Sequence, residues 1–299
     1  MLTHGWRVLP YNPAVTPARP PRLIALDLDG TAVTLKGRVS PATRAALHSC
    51  YQAGIVLAFL TGRRPLTAGP LLDAIGLPCL VATNSGCLRW EYPAWRQLER
   101  RMFPPELIPR VAELTEPYSI NFYLDASASG YEFVQLRRET TPEEQQHLER
   151  YGGNVLITAD VAEVQRFEVT QAALPAAPEI VSALTERVRR ELDGQVLAMS
   201  VRWPLLPTIA LEIFHPQANK GDALESFAAR LGIQREDCLA VGDDVNDIAM
   251  LRWAGRSAAM PQAGPEVCAV AQEMLSIPAG DADPADALPP FLERILREV

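Results

Sequence analysis

The sequence has 299 residues, of which 48% are apolar and 21% are charged, and its formal net charge at pH 7 is −8. This length fits two domains of ordinary size, and the composition excludes an intrinsically disordered polyelectrolyte. The acidic balance gives no electrostatic basis for binding a nucleic-acid backbone or for polybasic attachment to a membrane.

The chain begins with a proline-rich segment that contains no apolar stretch long enough for a signal sequence or a membrane span. We expect this segment, residues 1–21, to be an extended arm. Five cysteines and four histidines are scattered along the chain without a CxxC pair. This distribution argues against a zinc site and indicates reduced thiols, which are typical of a cytoplasmic protein.

Four short apolar runs each end at a polar residue with a glycine nearby. Such runs are typical of central strands in a parallel sheet, because both faces of these strands are buried. Helical segments with proline and glycine at their ends lie among them, and this alternation predicts a doubly wound α/β fold with a mostly parallel, Rossmann-like sheet. The predicted strands are Leu23–Leu26, Ile55–Leu60, Cys79–Ala82 and Cys238–Val241, and the helices lie between Ser40 and Gly54 and over Pro65–Ile75 and Gly221–Leu231.

This alternation stops between about residues 88 and 214. We predict that residues 88–214 form an α+β module with antiparallel hairpins, inserted into a core made of residues 22–87 and 215–299. The predicted helices of this module are Pro105–Thr115, Pro142–Tyr151 and Pro178–Leu192, and its strands are Ser119–Leu124, Tyr131–Leu136, Arg166–Gln171, Gln195–Trp203 and Thr208–Phe214.

Polar residues follow the four predicted core strands at their carboxyl ends, where ligands of doubly wound sheets bind. Asp27, Thr61, Asn84 and Asp243 should therefore lie close together. Any one of them alone is better explained as a strand stop or a turn former. Their occurrence at one edge favours a binding site.

The acidic residues at this edge predict a cation. Asp27 and Asp29 follow the first strand, and Asp243, Asp244 and Asp247 follow the last. Bringing carboxylates together is unfavourable without a cation between them, and an oxygen-only donor set favours a hard ion such as Mg²⁺. The second group would also suit an exposed helix N-terminus, where acids interact well with the helix dipole.

Two further residues are candidates for binding an anion. Lys220 lies at the start of a predicted helix, where its charge and free backbone amides could meet an anionic ligand. Thr61 offers a hydroxyl and an amide to the same anion. A solvated lysine and an ordinary strand residue are the alternative interpretations of these two positions.

Four motifs that occur in a fixed order resemble those of the haloacid dehalogenase-like phosphohydrolase superfamily, and the first of them is the most specific. The large insertion between the second and third motifs resembles the Cof-type branch, which carries an α+β cap domain there. The motifs are Asp27-Leu28-Asp29-Gly30-Thr31, Thr61-Gly62-Arg63, Lys220-Gly221, and Gly242-Asp243-Asp244-Val245-Asn246-Asp247.

The resemblance implies a magnesium-dependent phosphatase that works through a covalent intermediate. Asp27 would be the nucleophile, and Asp29 would be the general acid and base. Asp243 would bind Mg²⁺ together with the carboxylate of Asp27 and the main-chain carbonyl of Asp29, while Asp247 would support the metal site. No role is assigned to Asp244 beyond that of an acid at a helix start.

The resemblance also implies which residues bind the phosphoryl group. Thr61, Gly62, Lys220 and Asn246 would contact its oxygens, and Lys220 would thereby take part in catalysis.

The expected substrate is a small-molecule phosphomonoester, most commonly a sugar phosphate in the branch that the sequence resembles. Pyridoxal phosphate and flavin mononucleotide are alternatives, as are a phosphomutase and a non-catalytic binding protein. We expect a monomer or a weak homodimer. The residues that select the substrate are not identified by the sequence, since every candidate also suits core packing; these candidates are Trp90, Asn121, Tyr123, Tyr131, Arg202 and Trp203.

Overall fold

A computed structural model describes residues 20–125, 129–151, 154–203, 208–277 and 283–298, so most of the expected N-terminal arm lies outside the described residues. The strands are β1 (Leu23–Leu26), β2 (Val56–Leu60), β3 (Cys79–Thr83), β4 (Leu88–Tyr92), β5 (Arg96–Arg100), β6 (Ile120–Leu124), β7 (Phe133–Leu136), β8 (Val155–Thr158), β9 (Val169–Ala176), β10 (Leu197–Trp203), β11 (Thr208–Phe214), β12 (Cys238–Gly242), β13 (Arg256–Ala259) and β14 (Glu273–Met274). The α-helices are α1 (Pro41–Gln52), α2 (Pro65–Ile75), α3 (Ile108–Leu114), α4 (Pro142–Tyr151), α5 (Val161–Val164), α6 (Pro178–Glu191), α7 (Lys220–Leu231), α8 (Ile248–Trp253), α9 (Pro265–Cys268) and α10 (Leu288–Leu296).

The first sheet has the strand order β14-β13-β12-β1-β2-β3-β4-β5. All neighbours from β14 to β3 are parallel, and β4 and β5 are added in antiparallel pairing. Leu23 at the start of β1 lies level with Cys238 of β12 and Val56 of β2. The four predicted parallel strands and the doubly wound fold class are therefore confirmed.

Helices cover both faces of this sheet, which explains why its central strands are apolar throughout. Ile24 and Leu26 of β1 pack in a cluster that contains Leu47 of α1 and Phe291 of α10. Leu23 and Ala25 point to the other face, into a cluster that contains Phe227 of α7. Each fully buried leucine of this kind contributes about 1.5–3 kcal/mol to the free energy of unfolding.

The predicted start of the insertion at residue 88 needs correction, because β4 and β5 continue the first sheet as far as Arg100. These strands lack the unbroken apolar run that identified the others, since β5 is an edge strand and its side chains are only partly buried. We propose that the chain leaves the core after Arg100 and returns to it at His215.

The second sheet has the strand order β10-β11-β9-β6-β7-β8. Its neighbours are antiparallel except for the parallel pair β7 and β8. The predicted pairing of β6 with β7 is confirmed, with Phe122 opposite Val134. One face of this sheet packs against α3 and α6 in a cluster that includes Val111 and Leu184.

Strand β9 differs from its prediction. The sequence placed a strand over Arg166–Gln171, whereas the observed strand is Val169–Ala176 and lies between β6 and β11. Its second half is rich in alanine and contains Pro175, a composition that argues against a central strand. Small side chains are tolerated here because larger residues from neighbouring strands pack over them, as Tyr123 and Phe133 do over Ala173.

Two further observations concern the molecule as a whole. All five cysteines are free. Within the described residues, the helices are too short or too polar for any of them to traverse a lipid bilayer.

Candidate active site

The end of β1 carries Asp27 into a buried position at the carboxyl edge of the first sheet. Its backbone amide donates to the carbonyl of Val241 over 3.0 Å, and the residue is 5% exposed. The turn that follows requires glycine at position 30, because the backbone has a φ of +82° there and a Cβ atom would lie 2.7 Å from Oδ2 of Asp243. This close approach brings the first and fourth motifs together.

Lys220 joins the first and fourth motifs electrostatically. It is the first residue of α7, whose N-cap Asn219 accepts a hydrogen bond from the amide of Asp222. Its Nζ donates to Oδ1 of Asp27 and to Oδ1 of Asp247, both over 2.5 Å. Burial alone would lower the pKa of Lys220, but the two aspartates outweigh burial and raise it, so the ammonium stays charged.

The loop after β12 is organised by the side chain of Asp247. Its Oδ2 accepts hydrogen bonds from the amides of Asp243 and Asp244, over 2.9 and 3.0 Å. A Cβ atom at position 242 would lie 2.5 Å from Cγ of Asp247, so Gly242 is what allows this carboxylate to fold back over its own loop. Both oxygens of Asp247 are thus engaged by donors of the protein.

Three carboxylates meet at this edge. Asp27, Asp243 and Asp247 each place an oxygen within 4.8 Å of the others. Burial raises the pKa of Asp27, the nearby aspartates add to the increase and Lys220 opposes it. Burial also raises the pKa of Asp243 to about 7, with Asp247 contributing. This concentration of negative charge and oxygen donors is the environment that a hard divalent cation favours.

Gln262 supports the carboxylate of Asp243 from the loop that follows β13. Its Nε2 donates to the carbonyl of Gly30 over 2.8 Å and to Oδ2 of Asp243 over 3.0 Å. No role is predicted for Gln262 from the sequence, because none of the four motifs contains it.

The residues predicted to bind phosphate line the neighbouring part of the edge. The hydroxyl of Thr61 accepts from the amide of Arg63 over 3.0 Å, and its carbonyl accepts from the amide of Ser85, also over 3.0 Å. A Cβ atom at Gly62 would lie 3.6 Å from Oγ of Ser85 and 3.8 Å from Nδ2 of Asn246. Gly62, Ser85 and Asn246 therefore border one space.

Asp29 lies farther out than Asp27 and is held by Arg63. Nε of Arg63 donates to Oδ2 of Asp29 over 2.7 Å, and Nη2 donates to Oδ1 over 2.6 Å, in a two-pronged ion pair. Their side chains are 32% and 23% exposed, so the pair sits at the mouth of the site. Arg63 belongs to the second motif, but sequence reasoning did not identify it as the partner of Asp29.

The second sheet lies over this edge of the first. Nδ2 of Asn84 donates to the hydroxyl of Thr170 in β9 over 3.3 Å, and Sγ of Cys87 contacts the carbonyl of the same residue over 3.0 Å. Arg64 and Glu132 form an ion pair across the same seam. The inserted residues are thereby held next to the carboxylates.

Several of the aromatic and polar candidates from the sequence have structural partners. Nε1 of Trp90 donates to the hydroxyl of Thr83 within the first sheet, over 3.0 Å, and this tryptophan packs in the core. Nδ2 of Asn121 donates to both oxygens of Glu144, over 2.8 and 2.9 Å. These contacts indicate that Trp90 and Asn121 have structural roles.

Other candidates lie elsewhere on the inserted residues. Tyr123 is hydrogen-bonded to His147, while Arg202 and Tyr131 are exposed. Nε1 of Trp203 donates to Oε1 of Glu212 over 2.8 Å. Glu212 was not among the candidates from the sequence.

Comparison with known proteins places this geometry in context. A sequence profile of the haloacid dehalogenase-like hydrolases matches residues 24–280. The chain is 31% identical over 250 residues to the HMP-PP phosphatase of Cronobacter sakazakii, covering 83% of this chain and 87% of that protein. It is 28% identical over 252 residues to the pyridoxal phosphate phosphatase YbhA of Escherichia coli, covering 81% and 88% of the two chains.

A likeness in fold extends to solved structures. A haloacid dehalogenase-like hydrolase from Bacteroides thetaiotaomicron superposes with a TM-score of 0.72 at 22% identity, covering 92% of this chain and 99% of that one. The two proteins therefore share their fold.

Proposed function

The chain belongs to the haloacid dehalogenase-like hydrolase family, in its Cof-type branch, and on this premise we propose that it is a magnesium-dependent phosphatase of small phosphorylated metabolites. The observation that carries the proposal is the Lys220 ammonium bound between Asp27 and Asp247, at the edge where Asp243 also lies. This arrangement combines a buried carboxylate nucleophile with fixed positive charge for a phosphoryl group.

In the first step, an oxygen of Asp27 attacks phosphorus, and the bond between phosphorus and the leaving oxygen breaks. Lys220 binds the transferring oxygens together with Thr61, Gly62 and Asn246, and stabilises the charge that spreads over them. Asp29 gives its proton to the leaving oxygen, which departs as an alcohol. Its exposed position at the mouth of the site suits exchange of that proton with solvent.

In the second step, water hydrolyses the aspartyl phosphate. Asp29 accepts a proton from the attacking water, and the bond between phosphorus and the oxygen of Asp27 breaks to release inorganic phosphate. The same residue thus serves as acid and then as base. In the structure both oxygens of Asp29 accept hydrogen bonds from Arg63, so Asp29 leaves this ion pair when it carries a proton.

The donor set supports Mg²⁺ as the cofactor. Asp27 and Asp243 would hold the ion, together with the main-chain carbonyl of Asp29, and Asp247 would fix the loop that carries Asp243. Bound there, the ion would neutralise carboxylate charge and stabilise the negative charge on the phosphoryl oxygens.

The substrate class has two candidates. A sugar phosphate is the expectation from the resemblance noted in the sequence. Phosphorylated heterocycles are the second, because the relatives include proteins named for HMP-PP and for pyridoxal phosphate. In either class the leaving group would lie under the inserted residues.

The proposal is tested with a panel of phosphomonoesters and measurement of released inorganic phosphate. We expect hydrolysis by the wild-type protein and loss of at least 10³-fold in kcat for Asp27→Asn, because the amide oxygen is a far weaker nucleophile. The control is Asp193→Asn, which makes the same change at an exposed residue. Equal phosphate release by Asp27→Asn and the control would show that Asp27 is not the nucleophile.

The metal is tested separately by chelation. Treatment with EDTA should abolish phosphate release, and added Mg²⁺ should restore it, whereas Ca²⁺ should restore little because its coordination is larger and looser. Binding of Mg²⁺ can also be followed by titration calorimetry on the wild-type protein and Asp243→Asn. Full activity in the chelated protein, or equal Mg²⁺ binding by both proteins, would contradict this part of the proposal.

A further inference from the structure

The turn after β3, Asn84–Gly86, has a left-handed backbone. Its three residues have φ angles of 51°, 55° and 103° in chain order. At Gly86 this conformation requires glycine, because a Cβ atom there would lie 2.5 Å from the carbonyl oxygen of Asn219. Ser85, in the middle of the turn, carries a side chain where glycine would avoid a close approach between Cβ and the following carbonyl. The backbone conformation of Ser85 is therefore strained.

Hydrogen bonds on both sides hold this turn in place. The amide of Ser85 donates to the carbonyl of Thr61 over 3.0 Å, which ties the turn to the second motif. The carbonyl of Gly86 accepts from Nε of Arg89 over 3.3 Å. Arg89 is buried and forms an ion pair with Glu99 on the neighbouring strand β5. The surrounding structure thus fixes the strained conformation and the position of the Ser85 side chain.

The Ser85 hydroxyl faces the space that the proposed phosphate-binding residues border. Its Oγ lies 3.6 Å from the position that a Cβ atom at Gly62 would take, and Nδ2 of Asn246 lies 3.8 Å from the same position. Ser85 is buried, and its hydroxyl forms no hydrogen bond within the described part of the chain. A buried hydroxyl without a partner is unfavourable, so its proton is available to a ligand in this space.

We propose that Ser85 is a further phosphate-binding residue, whose hydroxyl donates a hydrogen bond to a non-bridging oxygen of the phosphoryl group. The inference rests on the phosphatase function proposed above. A phosphoryl oxygen in this space would satisfy the hydroxyl, and a hydrogen bond to a charged acceptor is stronger than one between neutral groups. One role thereby accounts for both unfavourable features of Ser85, its left-handed backbone and its unpaired hydroxyl.

The depth of Ser85 in the site favours the phosphoryl group over the leaving group as its partner. Ser85 is 3% exposed, whereas the side chain of Asp29, which serves the leaving oxygen, is 32% exposed at the mouth of the site. The backbone partner of Ser85 is Thr61, another residue proposed to bind phosphate. Because phosphoryl oxygens are common to all substrates, loss of the hydroxyl should affect every phosphomonoester by the same factor.

The experiment removes the hydroxyl in two ways. Ser85→Ala keeps a side chain on the left-handed backbone, whereas Ser85→Gly also relieves the strain. We expect both variants to lose about 10- to 100-fold in kcat/KM for p-nitrophenyl phosphate, which corresponds to one hydrogen bond to a charged group. Ser85→Gly should at the same time raise the midpoint of thermal unfolding by about 2 °C, because glycine suits the positive φ. Activity and stability thus change in opposite directions in this variant.

Two further measurements test whether the hydroxyl binds the phosphoryl group. The inhibition constant of inorganic phosphate, which has no leaving group, should rise about tenfold in both variants. The kcat/KM for glucose 6-phosphate should fall by the same factor as that for p-nitrophenyl phosphate. An unchanged inhibition constant, or a fall in kcat/KM for one of the two substrates only, would overturn the assignment of Ser85 to phosphate binding.

Ser182→Ala is the matched control, since it removes the hydroxyl of an exposed serine in α6, and it should retain the wild-type constants. Wild-type kcat/KM in Ser85→Ala would overturn the inference and leave the phosphatase function in place. A lower unfolding midpoint in Ser85→Gly would show that the hydroxyl stabilises the folded protein itself, and would also overturn it. Absence of hydrolysis of any phosphomonoester by the wild-type protein would overturn the phosphatase function and the role of Ser85 with it.

Discussion

Lys220 is one of two lysines in the sequence, and the structure buries it completely between two aspartates. Its ammonium lies 2.5 Å from an oxygen of Asp27 and 2.5 Å from an oxygen of Asp247. Removing one member of a buried ion pair leaves the other charges without compensation, which costs more than the pair itself contributes. Lys220 is therefore structural as well as catalytic.

Replacing Lys220 by Met should lower the free energy of unfolding of the metal-free protein by about 3–5 kcal/mol, because Asp27 and Asp247 would remain buried without their cation. Urea denaturation in EDTA measures this change. The other lysine, Lys36, is exposed, and Lys36→Met should change the free energy of unfolding by less than about 0.5 kcal/mol. Equal stability of the two variants would show that the buried aspartates do not depend on Lys220.

Among individual residues, the site residues that belong to motifs could be predicted from the sequence. Those whose role arises from packing could not. Asp27, Asp243 and Lys220 lie at one edge as predicted, because strand ends and a helix start fix their backbone positions. Gln262 reaches the same edge through side-chain geometry that spacing along the chain does not encode. Its partner Asp243 lies 19 residues away in the chain.

Among the secondary-structure elements, the junction of β12 with the following loop is a closely packed part of the site. Gly242 ends β12, and the side chain of Asp247 folds back against it to bind the amides of Asp243 and Asp244. The space beside Gly242 is filled by this carboxylate, so the strand end has no room for a side chain.

Gly242→Ala should displace the Asp247 carboxylate and with it the loop that carries Asp243, since the new Cβ would lie 2.5 Å from Cγ of Asp247. We expect a loss of about 1–3 kcal/mol in the free energy of unfolding, from overpacking, and a loss of at least 10²-fold in kcat. Thermal unfolding and phosphate release measure the two effects.

Gly264→Ala is the control for this substitution. Gly264 has a φ of −69°, and a Cβ atom there would meet nothing within 4 Å, so alanine should leave stability unchanged or slightly higher. Wild-type activity in Gly242→Ala would mean that the loop tolerates a shift of Asp247.

The bounds of the helices and strands could be predicted from the sequence where the burial of their side chains follows a regular pattern. They could be predicted less well where it does not. The predicted bounds of β1, α2, α4 and β11 agree with the structure, because each has a clear apolar pattern or capping signal. Strand β5 lies at a sheet edge with polar side chains, which the sequence cannot distinguish from a loop.

For the whole molecule, folding buries carboxyl groups of the inserted residues far from solvent. Glu144 is 1% exposed and accepts from Asn121 over 2.8 and 2.9 Å and from Gln135 over 2.7 Å. Burial raises its pKa to about 7, although these bonds and the charge of Arg137 oppose the increase. Glu212 has a pKa raised to about 7 for the same main reason.

These raised pKa values predict that stability falls as the pH rises. An unfolded glutamate loses its proton near pH 4.5, whereas folded Glu144 keeps it until about pH 7. The native state therefore binds more protons in this window, so the contribution of Glu144 to the free energy of unfolding is fully present below pH 4.5. It decreases by about 2 kcal/mol between pH 5 and pH 7.5 and is constant at higher pH.

Glu144→Gln has no proton to lose in this range, so its free energy of unfolding should fall by about 2 kcal/mol less than that of the wild type between pH 5 and pH 7.5. Urea denaturation at both pH values measures the difference, and comparison with the wild type cancels the titration of the active-site carboxylates, which both proteins share. Glu149→Gln, an exposed position on the same helix, should retain the wild-type dependence. The same pH dependence of the free energy of unfolding in all three proteins would mean that Glu144 ionises at the same pH in the folded and unfolded chains. In that case the amide donors of Asn121 and Gln135 would compensate for its burial.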